Sequence, residues 1–114
     1  MSGYAHWDIT PGMIYGFRLL GRAFVKIGCT RNLTRLRLQQ LQSKVRCPLY
    51  VLGEMPVEQG LFRVEKRLKR MLAPYAHYGE WFAIDMKTQQ FYALVKDAMA
   101  YCLHEERPEG RWYR

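Results

Sequence analysis

Two runs rich in β-branched and aromatic residues, Met13–Leu20 and Ala23–Ile27, are separated only by Gly21-Arg22, and the second ends at Gly28. So short a gap admits a tight turn and little else, which predicts an antiparallel β-hairpin. Everything else in the chain has to pack around that pair.

Beyond Gly28, Thr30-Arg31-Asn32 offers a helix cap, and Leu33, Leu36 and Leu41 recur at helical spacing amid Arg35, Arg37, Gln39 and Gln40. This predicts a short basic helix over 33–43. Pro48–Gly53 is an apolar run between two breakers and reads as a central strand. Val57, Leu61, Val64, Leu68, Met71 and Leu72 then keep to one face of a second helix, which Pro74 stops. Its other face carries Arg63, Lys66, Arg67, Lys69 and Arg70. A turn at Gly79 leads into a short strand over 80–84. Phe91, Leu94, Val95, Ala98 and Cys102 mark a last helix at about 87–104, followed by a tail over 105–114. The order β-β-α-β-α-β-α predicts an α/β fold, with a small central sheet of three or four short strands flanked by helices. A chain of 114 residues suits one domain spanning 1–114. It contains no internal repeat or linker, and its glycines do not fall in the GxGxxG or GxxxxGK[ST] order of nucleotide-binding loops.

Charge narrows the choice of partner. Lysine and arginine total 18 against 10 acids, a formal net charge of +8, so a polyanion is the natural ligand. Plain solubility is the competing explanation. Cys29, Cys47 and Cys102 form no CxxC pair and have no histidine cluster beside them, which excludes a zinc site by spacing and predicts reduced thiols. No run is long and apolar enough to cross a bilayer, and no basic start precedes an apolar stretch, so a cytoplasmic protein with no membrane partner is expected.

Hydrolysis of a phosphodiester needs an aligned oxygen nucleophile, positive charge on the non-bridging oxygens and support for the leaving oxygen. Tyr15 on the first strand, Lys26 on the second, Arg37 on the first helix and Glu65 on the second supply these chemistries in order. Gly12-Met13-Ile14-Tyr15 followed by Val25-Lys26-Ile27-Gly28 resembles the paired GIY and YIG strands of the GIY-YIG nuclease superfamily. Arg37-Leu38-Gln39-Gln40-Leu41-Gln42 is similar to its RLxxLQ helix, Pro48–Gly53 to its third strand, and Val64-Glu65-Lys66-Arg67-Leu68 to its glutamate-bearing helix. Gly79-Glu80-Trp81-Phe82 completes the series and points to the branch named after a phage T5 open reading frame and a meiotically up-regulated gene. The resemblance spans 12–84.

The resemblance implies a DNA endonuclease acting on double- or single-stranded DNA with one magnesium (or manganese) ion. Tyr15 would activate or orient the attacking water, a nearby cation such as Lys26 favouring its phenolate. Arg37 would hold the scissile phosphate and Glu65 the metal. A DNA-binding module that has kept the fold without cutting is the alternative. The sequence departs from the family pattern at Lys26, which replaces the YIG tyrosine, and at Lys69, which replaces a histidine. No asparagine matches the one that many members carry near the domain's end. Arg37 aligns only if the preceding loop is one residue longer than usual; otherwise the position is Leu36 and Arg35 becomes the rival.

Each residue also has an ordinary reading. Tyr15 suits any half-buried strand, Lys26 alternates toward solvent, and Glu65 stands four residues before Lys69 as a simple surface pair. Arg31, Arg35, Lys66, Lys69 and His77 are the expected DNA contacts, with a solvated face or an unremarkable loop as the competing reading. Glu80 reads as a carboxylate that is either linked to the metal or supports a residue that is. Trp112 and Tyr113 among the tail arginines suit either base stacking or a frayed end. So small a domain is expected to have modest sequence specificity or a partner protein that supplies it, and a homodimer would allow a double-strand cut.

Overall fold

The computed structural model describes residues 10–105, with side chains through Leu103, so the tail with Trp112 and Tyr113 lies outside the described residues. Strands β1 (Gly12–Leu19) and β2 (Val25–Thr30) form the predicted hairpin, in register from Met13 opposite Thr30 to Arg18 opposite Val25. β3 (Leu49–Val57) pairs antiparallel with the other side of β1. β4 (Ala76–Tyr78) and β5 (Trp81–Phe82) extend the sheet beyond β2, giving the order β3-β1-β2-β5-β4. The helices are α1 (Thr34–Gln42), α2 (Leu61–Met71) and α3 (Thr88–Glu105).

The fold class is the predicted α/β, but the sheet has five strands rather than three or four. The unpredicted strand, β4, consists of three exposed residues, so no alternation of apolar and polar positions announces it. A second difference concerns Val57, assigned from its spacing to the second helix. It is the last residue of β3, and α2 begins only after Gly60, whose φ of 81° is left-handed and breaks the helical phase. β3 is also longer than the predicted 48–53 and runs through Pro56, which is tolerated because β3 is an edge strand and need not donate from every amide. A third correction concerns the cap. Asn32 accepts a hydrogen bond from the Leu33 amide (2.8 Å) and Thr30 Oγ1 one from the Asn32 amide (3.0 Å). These residues shape the turn before α1, while the cap position itself is Leu33, without a side-chain hydrogen bond.

Opposed residues on neighbouring strands share a face. Ile14, Gly16, Val25, Ile27 and Cys29 therefore point to one side of the sheet, and Tyr15, Phe17, Lys26 and Gly28 to the other. The first side is packed by α2 and α3 through Leu61, Val64, Leu68, Phe91, Val95 and Ala98, all buried with Ile14, Val25 and Ile27. Each large side chain so buried contributes about 1.5–3 kcal/mol, which fixes α2 rigidly on the sheet. The second side is faced by α1.

Candidate functional site

Tyr15 is 1% exposed and stacks on Phe17, with ring centroids 4.2 Å apart and planes 16° from parallel. Its ring lies across Gly28, its partner on β2, where an added Cβ would come within 2.5 Å of the tyrosine Cζ. Glycine is needed here for room. Gly28→Ala is expected to destabilise the protein by about 1–3 kcal/mol, because the overpacked ring must leave its rotamer. Denaturant unfolding checks this; an unchanged midpoint would show that the ring does not rest on that backbone.

The Tyr15 hydroxyl is hydrogen-bonded to Arg37. Burial raises the phenol above its ordinary value of 10.0, and the Arg37 hydrogen bond and charge only partly offset it. The phenol therefore stays protonated at neutral pH. The expected stabilisation of a phenolate by Lys26 is not realised; the cation at the hydroxyl is Arg37. In turn the Tyr15 hydrogen bond raises the Arg37 guanidinium further above its ordinary range.

Arg37 is aimed by a helix whose only fully buried residue is Thr34. What ties the end of α1 down is Gln42. Its amide donates to the Val45 and Cys47 carbonyls, each at 3.0 Å, and its Oε1 accepts from the Leu49 amide at 2.7 Å. Arg37 Nη1 also donates to Gln40 Oε1 at 2.9 Å. Tyr15, Phe17, Lys26, Arg37, Gln40 and Lys44 line a cavity of about 280 Å³ on this face of the sheet. Arg35 does not line it and is exposed. Of the two rival arginines, Arg37 is the one at the tyrosine.

Lys26 leaves this cavity toward Glu80, donating to Oε1 at 2.9 Å, with its ammonium 5.9 Å from the centre of the Trp81 ring. Lys69 reaches the other oxygen of Glu80 at 2.6 Å and also pairs with Glu65 at 3.1 Å. The result is an alternating chain of charge, Lys26 to Glu80 to Lys69 to Glu65. Glu65 does not line the cavity with Tyr15, because α2 packs on the opposite side of the sheet. It joins the site around the edge of β2, with which β5 pairs only at Val25 and Lys26. Three of the four expected residues thus share one pocket and the fourth is linked by ion pairs. The pairing of Glu65 with Lys69 foreseen as a plain surface contact is present as well.

Burial pushes the Cys29 thiol up to about 12, reinforced by the charge and hydrogen bond of Glu65. Cys29, Cys47 and Cys102 are not joined in disulfides. For Lys69, burial works against the ammonium, but its hydrogen bonds to Glu80 and Glu65 win and raise it. For Glu80, burial opposes the carboxylate, and the hydrogen bonds from Lys69 and Lys26 outweigh that and lower it.

The remaining expected contacts lie further out. Arg31 and Lys66 are exposed. His77 sits on β4 against Phe24, ring centroids 4.8 Å apart, and is not part of the cavity lining. Glu80 is central to the ion-pair chain, and Gln42, Lys44 and Cys29, which carry no expected role in the sequence, also lie around the site. The usable signal for Gln42 was its position at the polar end of a weakly amphipathic helix, where hydrogen bonds must replace apolar packing.

A family model for the T5orf172 domain matches residues 12–100. The chain belongs to the T5orf172 domain family. That places it among nuclease-like, DNA-interacting domains. The matched stretch of this T5orf172 domain runs from the first residue of β1 into α3 and includes every residue of the site. No curated protein and no solved structure matches the chain.

The ion-pair chain of the T5orf172 domain gives it a pH signature. Glu80 is held below its ordinary 4.5, so its pairing stabilises the fold above that pH and is lost as pH falls through the lowered value. Lys69 is raised above 10.5, so its share persists below that pH and is lost only as pH rises through the raised value. Between these limits the contribution is constant. With the Glu80 side chain 44% exposed, solvent screening keeps the contribution to about 1 kcal/mol or less. The stability difference between wild type and Glu80→Gln, measured by denaturant unfolding, should be flat near neutrality and shrink in acid. A difference that grows in acid contradicts the pairing.

Proposed function

We propose that this protein is a GIY-YIG-type endonuclease that hydrolyses phosphodiester bonds in DNA with the help of one divalent metal ion. The observation that carries the reading is the convergence of the Tyr15 phenol, the Arg37 guanidinium and Lys26 on one cavity, joined through Glu80 and Lys69 to the Glu65 carboxylate.

Arg37 presents a planar fork suited to two phosphate oxygens, and its hydrogen bond to Tyr15 brings a bound phosphate beside the phenol. A neutral phenol can accept a hydrogen bond from water and donate one to a phosphate oxygen. Tyr15 therefore orients the attacking water rather than acting as a phenolate base, and the water's proton passes to a non-bridging phosphate oxygen of the substrate or to solvent. Lys26 adds positive charge as the phosphorane-like charge builds, and Lys44 contacts the neighbouring phosphate.

Among the described residues no group of three His, Cys, Asp or Glu side chains comes together. Magnesium requires no such group, since it takes one or two carboxylates and fills its other positions with water and substrate oxygens. Glu65, already facing a cation in Lys69, fits that donor set, with manganese the equivalent substitute. When bound, the ion supplies charge neutralisation at the leaving oxygen.

The ammonium of Lys69 on both Glu65 and Glu80 also favours a second reading, a module that binds DNA without cutting it. Incubating the purified protein with plasmid and single-stranded DNA, in magnesium, in manganese and in chelator, decides between them. Metal-dependent nicking that chelator stops supports the nuclease. Binding without cleavage in every condition supports the module.

A further inference from the structure

Four cations, Arg63, Lys66, Arg67 and Arg70, recur along α2 at the spacing that shares one helix face, away from the buried Leu61, Val64 and Leu68. With Tyr101 and Cys102 of α3 they line a groove of about 170 Å³, separate from the cavity that holds Tyr15 and Arg37. The Arg67 guanidinium carbon lies 3.7 Å from the centre of the Tyr101 ring, a cation–π contact that places the guanidinium over the aromatic ring. Its Nε is buried without a hydrogen-bond partner. Lys66 and Arg70 are exposed, and neither makes an ion pair among the described residues. Lys66 and Arg70, four residues apart, repel each other modestly, and an anion between them would relieve that repulsion. Lys66 is also the i−3 neighbour of Lys69, so the cationic band runs continuously around α2 to the charge chain of the first site.

We infer that this groove is a second phosphate-binding site, which takes a sugar-phosphate backbone of DNA along α2 and α3, on the side of the sheet away from the Tyr15 cavity. The inference rests on the DNA reading above but not on cleavage. A backbone suits the site because its phosphates repeat, as the cations do along the helix, and because a pre-ordered arginine offers its remaining N–H groups to an oxygen fork.

The test uses the full chain and a fluorescein-labelled duplex titrated by anisotropy across salt concentration. Lys66→Gln combined with Arg70→Gln removes two phosphate contacts. The slope of log affinity against log salt should become shallower by roughly 1.8, about 0.9 per contact. The wild-type advantage then shrinks by roughly tenfold between about 0.05 M and 0.2 M salt. Lys66→Arg with Arg70→Lys, which keeps both charges, should retain the wild-type slope.

An unaltered slope in the glutamine pair, with native thermal melting, overturns the inference. So does a loss confined to binding of phosphatidylserine vesicles with duplex binding intact, which would assign the groove to a lipid surface. A wild type that binds duplex with the expected salt response yet never cuts refutes only the nuclease reading and leaves the groove assigned.

Discussion

Arg37→Ala is expected to slow metal-dependent DNA cleavage by roughly a hundred- to a thousand-fold, while Arg35→Ala, two residues away, stays within about threefold. The contrast follows from geometry. Arg37 lines the cavity and bonds the Tyr15 hydroxyl, whereas Arg35 faces solvent. Losing Arg37 removes a donor aimed at the charge that develops on the phosphate, and it also leaves a buried phenol without its partner. The second effect costs about 1–3 kcal/mol of stability, so the unfolding midpoint should fall along with the rate. Arg37→Lys should restore little, because a point charge cannot span two oxygens and the tyrosine at once. Single-turnover kinetics on a labelled duplex measure the rates. Should Arg35→Ala be the dead variant and Arg37→Ala the active one, the phosphate is held from the outer side of α1 and the proposed pocket is not the site.

Glu65→Ala should abolish magnesium-dependent cleavage, by roughly a thousand-fold or more, while leaving DNA affinity equal to or slightly above wild type. A metal ion supplies several kcal/mol of transition-state charge stabilisation, and each ~1.4 kcal/mol is a factor of ten in rate. Affinity holds or rises because the substitution removes a negative charge from a cationic surface and releases one of the two carboxylates on Lys69. The fold should survive, since Lys69 keeps Glu80 at 2.6 Å and α2 remains anchored by Leu61, Val64 and Leu68. Parallel cleavage and anisotropy assays on one preparation check both halves. A variant that cuts like wild type removes Glu65 from the chemistry and makes Glu80 the carboxylate to test next.

Much of the fold was legible because it follows from local rules. The hairpin announced itself through two β-rich runs and a two-residue gap, and α2 through an apolar stripe that ends at Pro74. What stayed hidden was set by tertiary context. Val57 is apolar in phase with α2 yet belongs to β3, since only the backbone at Gly60 shows where the phase breaks. β4 is too short and too exposed to carry a period. For the site, residue types and their order nominated Tyr15, Lys26, Arg37 and Glu65, but not which cation meets which acid. Lys26 is matched with Glu80, 54 residues away, and Tyr15 with Arg37. Pairings across such separations depend on sheet register and helix placement, which no spacing in the sequence encodes.

The glutamine clasp at the end of α1 has a bearing on how substrate gains entry. A segment held through Gln42 and Arg37, with little apolar area beneath it, is expected to open at lower free energy than the helices packed on the sheet's other side. Under the proposed function, the arginine assigned to the phosphate therefore rides on the least apolar wall of the cavity. If the proposal holds, duplex DNA would be admitted by yielding of that wall alone, with Glu65 and Glu80 keeping their places beside Lys69.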